Sequence, residues 1–301
     1  MVYQPTTKGN FLLILISLLS VYIIWGSTYL AIRIAVTTMP PLCMAGLRFV
    51  FAGGIMYFIL RLYGDSRPSA SQWYGSAIVG AFLMVGGTGF VGCAEKWVGS
   101  GLAAIAVTSV PLWACFFSGI FGKWPNRYEI IGLAIGFVGI IMFNMDREIQ
   151  ANFFGAILLF VAPLSWAFGS VLSKKVPSPA GLMASALQMI TGGVIAVILG
   201  IIIGERMSVF PSPQSLLAFV YLIIFGSMIA FSAYMYLFRY VRPALATSYA
   251  FVNPIVAVFL GVFLAGERIN REGIIALVVV LIGVVFVVIG NNKEKLLVDN
   301  P

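Results

Sequence analysis

The chain alternates long apolar runs with short polar breaks along its whole length. Ten runs are long enough to be membrane-spanning helices, because about 20 apolar residues cross the roughly 30 Å of hydrocarbon in a bilayer. They cover residues 11–32, 41–60, 73–94, 99–121, 128–144, 153–173, 180–203, 215–238, 243–264 and 272–290. The breaks hold nearly all of the charge. The pattern predicts an all-α membrane protein with ten transmembrane helices.

Composition strengthens this prediction. Of the 301 residues, 61% are hydrophobic and 9% are charged, against about 25% charged residues in ordinary soluble domains. A soluble fold needs a polar surface that this chain cannot supply, whereas a lipid bilayer accepts the apolar one. No break is long enough for an extramembrane domain, so we expect the function to lie within the membrane.

Lysine and arginine accumulate in cytoplasmic loops. Eleven of the 18 lie on the side of the ten-helix arrangement that holds both termini, six lie on the other side, and Arg48 lies within a helix. Both termini are therefore predicted to be cytoplasmic. The asymmetry also accounts for most of the net charge of +8, so no nucleic-acid partner is expected.

The two halves of the chain resemble each other. At an offset of 143 residues, Gly26-Ser27 falls on Gly169-Ser170, Lys96-Trp97-Val98 on Arg239-Tyr240-Val241, Pro111 on Pro254 and Glu129 on Glu272. The sequence thus predicts one five-helix repeat over residues 1–145, a second over 150–292 and a cytoplasmic tail over 293–301. Five is odd, so the second repeat enters the membrane from the opposite side, and such inverted repeats are typical of transporters.

Several kinds of chemistry are unsupported by the sequence. There is no histidine, which excludes a serine–histidine triad, a His-Glu-x-x-His zinc site and a histidine proton relay. The spacing Gly87-x-Gly89-x-x-Gly92 matches a dinucleotide fingerprint but lies inside an apolar run, which indicates helix packing. The three cysteines, Cys43, Cys93 and Cys115, are scattered. We expect no metal, no cofactor and no enzymatic activity.

Two further stretches resemble a known family. Gly101–Ala104 with Pro111, and Pro243–Pro254 leading to Gly266–Arg268, are similar to the EamA branch of the drug/metabolite transporter superfamily. The resemblance implies an inner-membrane carrier, commonly an exporter of metabolites, amino acids or toxic compounds. It also implies a central cavity lined by helices one, three, four, six, eight and nine. The family has a Gly-Glu-Arg motif after the fourth helix, where this chain has Lys123-Trp124-Pro125-Asn126-Arg127. The motif is therefore present only in the second repeat, as Gly266-Glu267-Arg268.

Pro111 and Pro254 occupy matching positions within predicted helices. Each removes one backbone hydrogen bond and frees the carbonyl four residues earlier, on Val107 and Ala250. An unpaired carbonyl is costly in lipid and should face protein or a wet cavity. We predict two helix kinks that line a cavity, with a simple packing kink as the alternative.

Aromatic and polar side chains supply the other candidates for solute binding. Tyr249 and Asn253 share one helix face, where Asn253 either contacts solute or joins two helices. The deeper tryptophans grip an apolar solute or pack in the core. The candidate solute-binding residues are Trp25, Thr28, Arg48, Trp113, Trp166, Tyr234, Tyr249 and Asn253.

Arg48 is the only basic residue well inside a segment. A charge at a helix centre costs about 2.5–3.5 kcal/mol on insertion scales, so it usually faces protein or water and has a role. One interpretation is a binding site for a carboxylate or another anionic group. The other is a structural arginine that bonds helix-end carbonyls or reaches outward.

The acidic residues lie in different places from Arg48. All ten fall in a break, a tail or the outermost turn of a segment. The sequence therefore predicts no membrane-embedded carboxylate for proton exchange, and transport by facilitated diffusion or by the membrane potential.

Taken together, these features predict an inner-membrane exporter of small amphipathic metabolites, such as amino acids, that works by alternating access. A non-transporting sensor or assembly protein and an intramembrane enzyme are the alternatives. Gly132-x-x-x-Gly136 is a helix-packing motif that fits either a contact within the monomer or a homodimer contact.

Overall fold

A computed structural model describes residues 10–94, 107–144, 153–207, 210–256 and 271–299. All regular secondary structure within these ranges is helical, as the apolar pattern predicts. Among the described residues, six helices are long and apolar enough to cross a membrane. Two shorter apolar helices, Val110–Ile120 and Val278–Gly290, accompany them.

The helices are numbered here in chain order. In the first half, α1 comprises Phe11–Ser20, Val21–Trp25 and Gly26–Ala35, α2 is Pro41–Leu62, α3 comprises Ala70–Gly80, Ala81–Gly89 and Phe90–Ala94, α4 is Val110–Ile120 and α5 is Arg127–Asn144. In the second half, α6 is Phe153–Leu172, α7 is Leu182–Ile202, α8 comprises Pro213–Tyr221, Leu222–Ile229 and Ala230–Tyr240, α9 begins with Pro243–Thr247, and α10 is Arg271–Asp299. Helical turns of α9 continue over residues 249–256. The predicted segments 99–121 and 243–264 lie partly outside the described residues.

Local signals fix many of the helix ends. Ser69 and Gln72 form a capping box, in which each side chain bonds the other residue's backbone, so α3 begins at Ala70 rather than at 73. Gly64, Gly122 and Gly204 follow the last turns of α2, α4 and α7 with positive φ angles. Only glycine adopts this conformation without strain, which is why these helices end where they do.

Apolar side chains cover the outside of the bundle. On α1, Phe11, Ile16 and Ile23 are exposed, while Ile14 and Val21 face inward and are buried. Water-soluble monomers rarely expose apolar patches of this extent, whereas lipid tails solvate them. The exposed faces are therefore the lipid-facing surface of the protein.

Glycines allow α2 and α7 to touch along their backbones. A Cβ atom on Gly46 would lie 2.7 Å from the carbonyl oxygen of Gly193, and one on Gly53 would lie 2.6 Å from that of Ala186. Residue numbers rise along α2 while they fall along α7, so the two helices run antiparallel.

The helices α5 and α10 cross in the same way. A Cβ atom on Gly132 would lie 2.6 Å from the carbonyl oxygen of Gly283, and Gly290 lies beside Glu129. This pair is also antiparallel. Gly132 therefore packs against α10 of the same chain, and its partner in the motif, Gly136, packs against Phe251.

Three helices contain π-helical segments, which widen the turn by one residue: Val21–Trp25 in α1, Ala81–Gly89 in α3 and Leu222–Ile229 in α8. Such segments are frequent at functional sites. The dinucleotide-like glycines lie in or beside the α3 segment, where Gly87 packs on Trp166 and Gly89 on Leu42. Helix packing is thus the correct interpretation of that spacing.

Pro111 is at the start of α4, immediately after a turn at residues 108–109. Residues 95–106 of the same apolar run lie outside the described residues, so the kink at Pro111 stays a prediction. Pro163 of α6 also lies inside a helix, and we did not predict it. It removes the backbone hydrogen bond to the carbonyl of Leu159.

Candidate functional site

A cavity lies between the two halves of the protein. Its empty volume, with the open mouth included, is about 1040 Å³. The described parts of α1, α3, α4, α6, α8 and α9 contribute to its wall, as expected, and α2 joins them through residues that include Met44, Arg48 and Phe49. Most lining side chains are apolar, so the few polar groups among them decide what the cavity can orient.

The cavity ends at a layer of large side chains. Its lining on α1 runs from Trp25 to Val36, its lining on α6 ends at Trp166, and its lining on α9 begins at Tyr249. Tyr234 of α8 lies behind this layer, is fully buried and contacts it without lining the cavity. We call Trp25, Trp166, Tyr234 and Tyr249 the aromatic cluster.

Trp25 is at the centre of the aromatic cluster. Its ring centroid lies 5.6 Å from that of Trp166, 5.2 Å from Tyr234 and 4.7 Å from Tyr249. The contacts with Trp166 and Tyr249 are edge-to-face, an arrangement that aromatic rings prefer. The cluster joins helices of both halves, because Trp25 belongs to the first and the others to the second.

Hydrogen bonds hold these rings in place. The Trp25 indole nitrogen donates to the carbonyl of Gly226, at 3.0 Å, and the Trp166 indole nitrogen donates to the Tyr234 hydroxyl, at 3.1 Å. The Ser170 hydroxyl lies 2.6 Å from the Tyr234 hydroxyl. Gly226 belongs to the π-helical segment of α8. The segment thus presents an acceptor to Trp25 inside the membrane.

Arg48 lines the cavity and is only 6% exposed. Its guanidinium carbon lies 4.4 Å from the ring centroid of Phe49, which in turn packs on Phe231. Among the described residues, Arg48 makes no ion pair, and its buried Nε has no hydrogen-bond acceptor. The interpretation of Arg48 as bonded to helix-end carbonyls therefore receives no support from these contacts.

Asn253 and Thr28 also line the cavity. With its amide nitrogen turned towards them, Asn253 donates to the carbonyls of Tyr22, at 3.2 Å, and Tyr249, at 3.1 Å. It therefore joins α9 to α1 while forming part of the wall. The Thr28 hydroxyl donates back to the carbonyl of Trp25, at 2.7 Å.

Two candidates lie elsewhere. Trp113 packs among Phe116, Phe117 and Phe160 and does not line the cavity, because α4 restarts at Val110 and turns this side chain towards α6. Pro254 lies in the helical turns of α9 and is not a lining residue either. The sequence instead missed Pro163 and Thr88, which are both in the wall.

A second charged site lies at one end of the bundle. Glu129, 1% exposed, accepts a hydrogen bond of 2.5 Å from the Nε atom of Arg242. A nitrogen of the same guanidinium also donates to the carbonyl of Trp124, at 2.8 Å. The backbone N–H of Asn126 donates to Glu129, and the Asn126 amide donates to the carbonyl of Gly290. We call these residues the ion-pair network; it connects the α4–α5 loop, the α8–α9 junction and α10.

Lys174, just after α6, is a cation that, like Arg48, has no carboxylate partner among the described residues. Burial and the nearby charge of Lys123 lower its pKa from the ordinary value to about 7. The ring of Phe238, 4.4 Å from the ammonium nitrogen, favours the charged form and opposes this shift.

Comparison with known proteins confirms the predicted family. The sequence profile of the EamA-like transporter family matches the chain twice, over residues 12–145 and 153–289. The uncharacterized inner membrane transporter YedA of Escherichia coli K12 is 46% identical over 275 residues, which are 91% of this chain and 90% of YedA.

More distant relatives extend the similarity. The uncharacterized transporter YoaV of Bacillus subtilis is 23% identical and covers 90% of this chain, which spans 95% of YoaV. Protein PagO of Salmonella typhimurium is 26% identical over 89% of this chain and 90% of PagO. A solved crystal structure with 20% identity superimposes with a TM-score of 0.78 over 95% of this chain and all of that one, and shows a shared fold.

Proposed function

The chain belongs to the EamA-like transporter family, and we propose that it is an exporter of small amphipathic metabolites, such as amino acids and related compounds, that works by alternating access. The relatives and the six long apolar helices make it a multi-pass protein of the inner membrane. As a transporter it acts on a small-molecule solute within the lipid bilayer.

The observation that carries this proposal is the cavity between the two halves. It offers apolar walls, an aromatic cluster and one buried charge at Arg48. Pockets that bind small molecules combine mostly apolar walls with a few placed polar groups. A solute held between two halves is released to either side when the halves rock against each other.

Alternating access also fits the way in which equivalent helices meet. The second helix of each half, α2 and α7, are antiparallel where Gly46 meets Gly193, and so are the fifth helices, α5 and α10. In an inverted repeat, equivalent helices run in opposite directions. These crossings support ten helices arranged as two inverted five-helix repeats.

Reconstitution into sealed vesicles tests the proposal. We expect the purified protein to give saturable flux for members of a panel of labelled amino acids, hydroxy acids and other small metabolites. The variant Thr88→Trp, which fills the cavity, should remove this flux. The matched control is Ile59→Trp on the lipid-exposed face of α2, which should keep it.

Two outcomes would reject the proposal. Absence of saturable flux for every member of the panel would indicate a sensor or assembly protein. Chemical change of the solute inside the vesicles would indicate an enzyme.

The proposed orientation places both termini in the cytoplasm. A reporter that is active only in the periplasm should be silent when fused after Pro301, the last residue of the sequence. A fusion within the loop between α1 and α2, at residues 36–40, should be active. Strong activity of the full-length fusion would reverse the topology.

A further inference from the structure

We propose that the cavity selects a solute with one net negative charge, a carboxylate on an apolar body, over the zwitterionic amino acid of the same shape, and that the membrane potential drives its export. This inference rests on the proposed transport function and names the solute class and energy source at the same site. The geometry of Arg48 and of the cavity wall carries it.

Arg48 is a buried charge without a counter-ion among the described residues. Of these residues it is the only charged one in the cavity wall, and they supply neither an ion pair nor an acceptor for its Nε. A charge buried in this way is costly, and in membrane proteins it marks a pathway or a ligand site. A bound carboxylate would supply the missing charge and accept hydrogen bonds from the guanidinium.

Two buried or capping carboxylates among the described residues are engaged elsewhere. Glu129 pairs with Arg242 at the end of the bundle. Glu205 accepts hydrogen bonds from the backbone N–H groups of Leu42 and Cys43, at 3.2 Å and 2.8 Å, where it caps the start of α2. Both carboxylates are thus committed to structure, and no described residue supplies Arg48 with an anion. In this proposal the solute supplies it.

The net charge of the occupied cavity differs between an anionic and a zwitterionic solute. A monovalent carboxylate brings the net charge of the occupied cavity to zero, whereas an amino acid leaves it at +1, with its ammonium in the same low-dielectric space as Arg48. The described wall offers this ammonium no carboxylate. The Trp25 ring already packs against the rings of Trp166, Tyr234 and Tyr249, which leaves less of it for contact with a cation.

The rest of the solute is defined by the apolar wall. Phe49 packs beside Arg48 and on Phe231, and Trp25 and Tyr249 also line the cavity. An aromatic or branched aliphatic body of metabolite size fits these surfaces. The solute class is therefore an amphipathic monocarboxylate, of which a 2-hydroxy acid is a simple example.

Export of such an anion uses the membrane potential directly. One negative charge leaves the cell with each solute, and the wall has no carboxylate or histidine among the described residues to exchange a proton for it. At equilibrium, an interior-negative potential of 100 mV makes the concentration of a monovalent anion about 50-fold higher outside the cell than inside. No proton or sodium gradient is then required.

The test uses solutes that differ only in one group. L-3-phenyllactate and L-phenylalanine share a skeleton and a carboxylate, but the first carries a hydroxyl where the second carries an ammonium; 2-hydroxy-4-methylpentanoate and leucine form a second pair. In proteoliposomes of the full chain, we expect each hydroxy acid to be taken up at least 10-fold more efficiently than its amino acid. Protein-free liposomes correct for leakage of the free acid.

The potential is set independently with potassium gradients and valinomycin at equal pH on both sides. An interior-positive potential should accelerate uptake of phenyllactate, and an interior-negative one should slow it. Rapid addition of phenyllactate to the proteoliposomes should also give a measurable inward movement of negative charge. Phenylalanine should give no such current.

Substitutions assign the preference to Arg48. Arg48→Gln should lower phenyllactate uptake about 100-fold and remove the preference over phenylalanine, while Arg48→Lys keeps the charge and part of the preference. Arg61→Gln removes a charge from the other end of the same helix, outside the cavity. It should leave phenyllactate uptake and the preference over phenylalanine unchanged.

The inference is overturned if phenylalanine and leucine are transported as well as their hydroxy acids, if the potential has no effect, or if Arg48→Lys and Arg48→Gln keep the full preference. Transport of other panel solutes in such a case leaves the proposed function intact. Failure of all solutes would instead reject the proposed function.

Discussion

Arg48 and Arg242 are both arginines that the fold largely removes from water, yet their surroundings are opposite. Arg242 is 19% exposed and is bonded to the carboxylate of Glu129 and the carbonyl of Trp124. Arg48 is 6% exposed, lies over the Phe49 ring and has neither partner among the described residues.

The difference distinguishes a structural charge from a functional one. The ion-pair network joins segments that are far apart in sequence, so its charges stabilise the arrangement of helices. Arg48 forms no ion pair with any described residue and lines a cavity instead. A charge that the protein leaves unbalanced is available to a solute, which is why the same residue type indicates different roles at the two sites.

Breaking the ion-pair network should have the largest effect on stability. Glu129→Gln leaves the Arg242 guanidinium without its carboxylate, and removal of one partner of a buried pair costs about 3–5 kcal/mol. We expect a clearly lower melting temperature of the detergent-solubilised protein. The double variant Glu129→Gln with Arg242→Gln leaves no unpaired charge and should melt above the single one. Wild-type melting of Glu129→Gln would contradict the structural role.

Arg48→Leu should have the opposite effect on stability. It removes a buried, unpaired charge, so its melting temperature should equal or exceed that of the wild type, whereas transport should fall about 100-fold, or roughly 2.7 kcal/mol. Arg242→Leu is the matched control and should lower the melting temperature. A large loss of stability in Arg48→Leu would show that Arg48 is structural after all.

Two tryptophans provide a smaller comparison of the same kind. Trp25→Phe keeps a ring in the aromatic cluster but loses the hydrogen bond to Gly226, which is worth about 1 kcal/mol. We therefore expect a KM for transport about fivefold higher. Trp113→Phe, outside the cavity, should leave the KM unchanged. Equal effects of the two substitutions would mean that the cluster does not contact solute.

Substitution of Lys174 should have an effect on stability that depends on pH. Its lowered pKa of about 7 lies below the value of about 10.4 expected in an unfolded chain. The unfolded state therefore binds more protons between these values, and stability rises with pH across that window. The gain in melting temperature from Lys174→Gln should be largest near pH 6 and shrink towards pH 9.

Lys175→Gln, which changes the exposed neighbour, controls for a general effect of loop charge in that experiment. If both variants respond to pH in the same way, then Lys174 is solvated and the contact with Phe238 keeps it charged.

The sequence alone determined where the long helices run. The predicted 41–60 and 180–203 became Pro41–Leu62 and Leu182–Ile202. This succeeds because an apolar run in a bilayer has to satisfy its backbone hydrogen bonds internally, and a helix does so with local partners. The family, the internal similarity of the two halves and the position of Arg48 within a helix could also be derived from residue patterns.

Only the tertiary structure decided which side chains meet. It placed a turn before Pro111, turned Trp113 away from the cavity, introduced the π-helical segments and brought Arg242 to Glu129. It also left Arg48 without a counter-ion among the described residues. Contacts such as Trp113 with Phe160 and Glu129 with Arg242 join different helices, and no local period encodes them, because they arise when whole helices pack against one another.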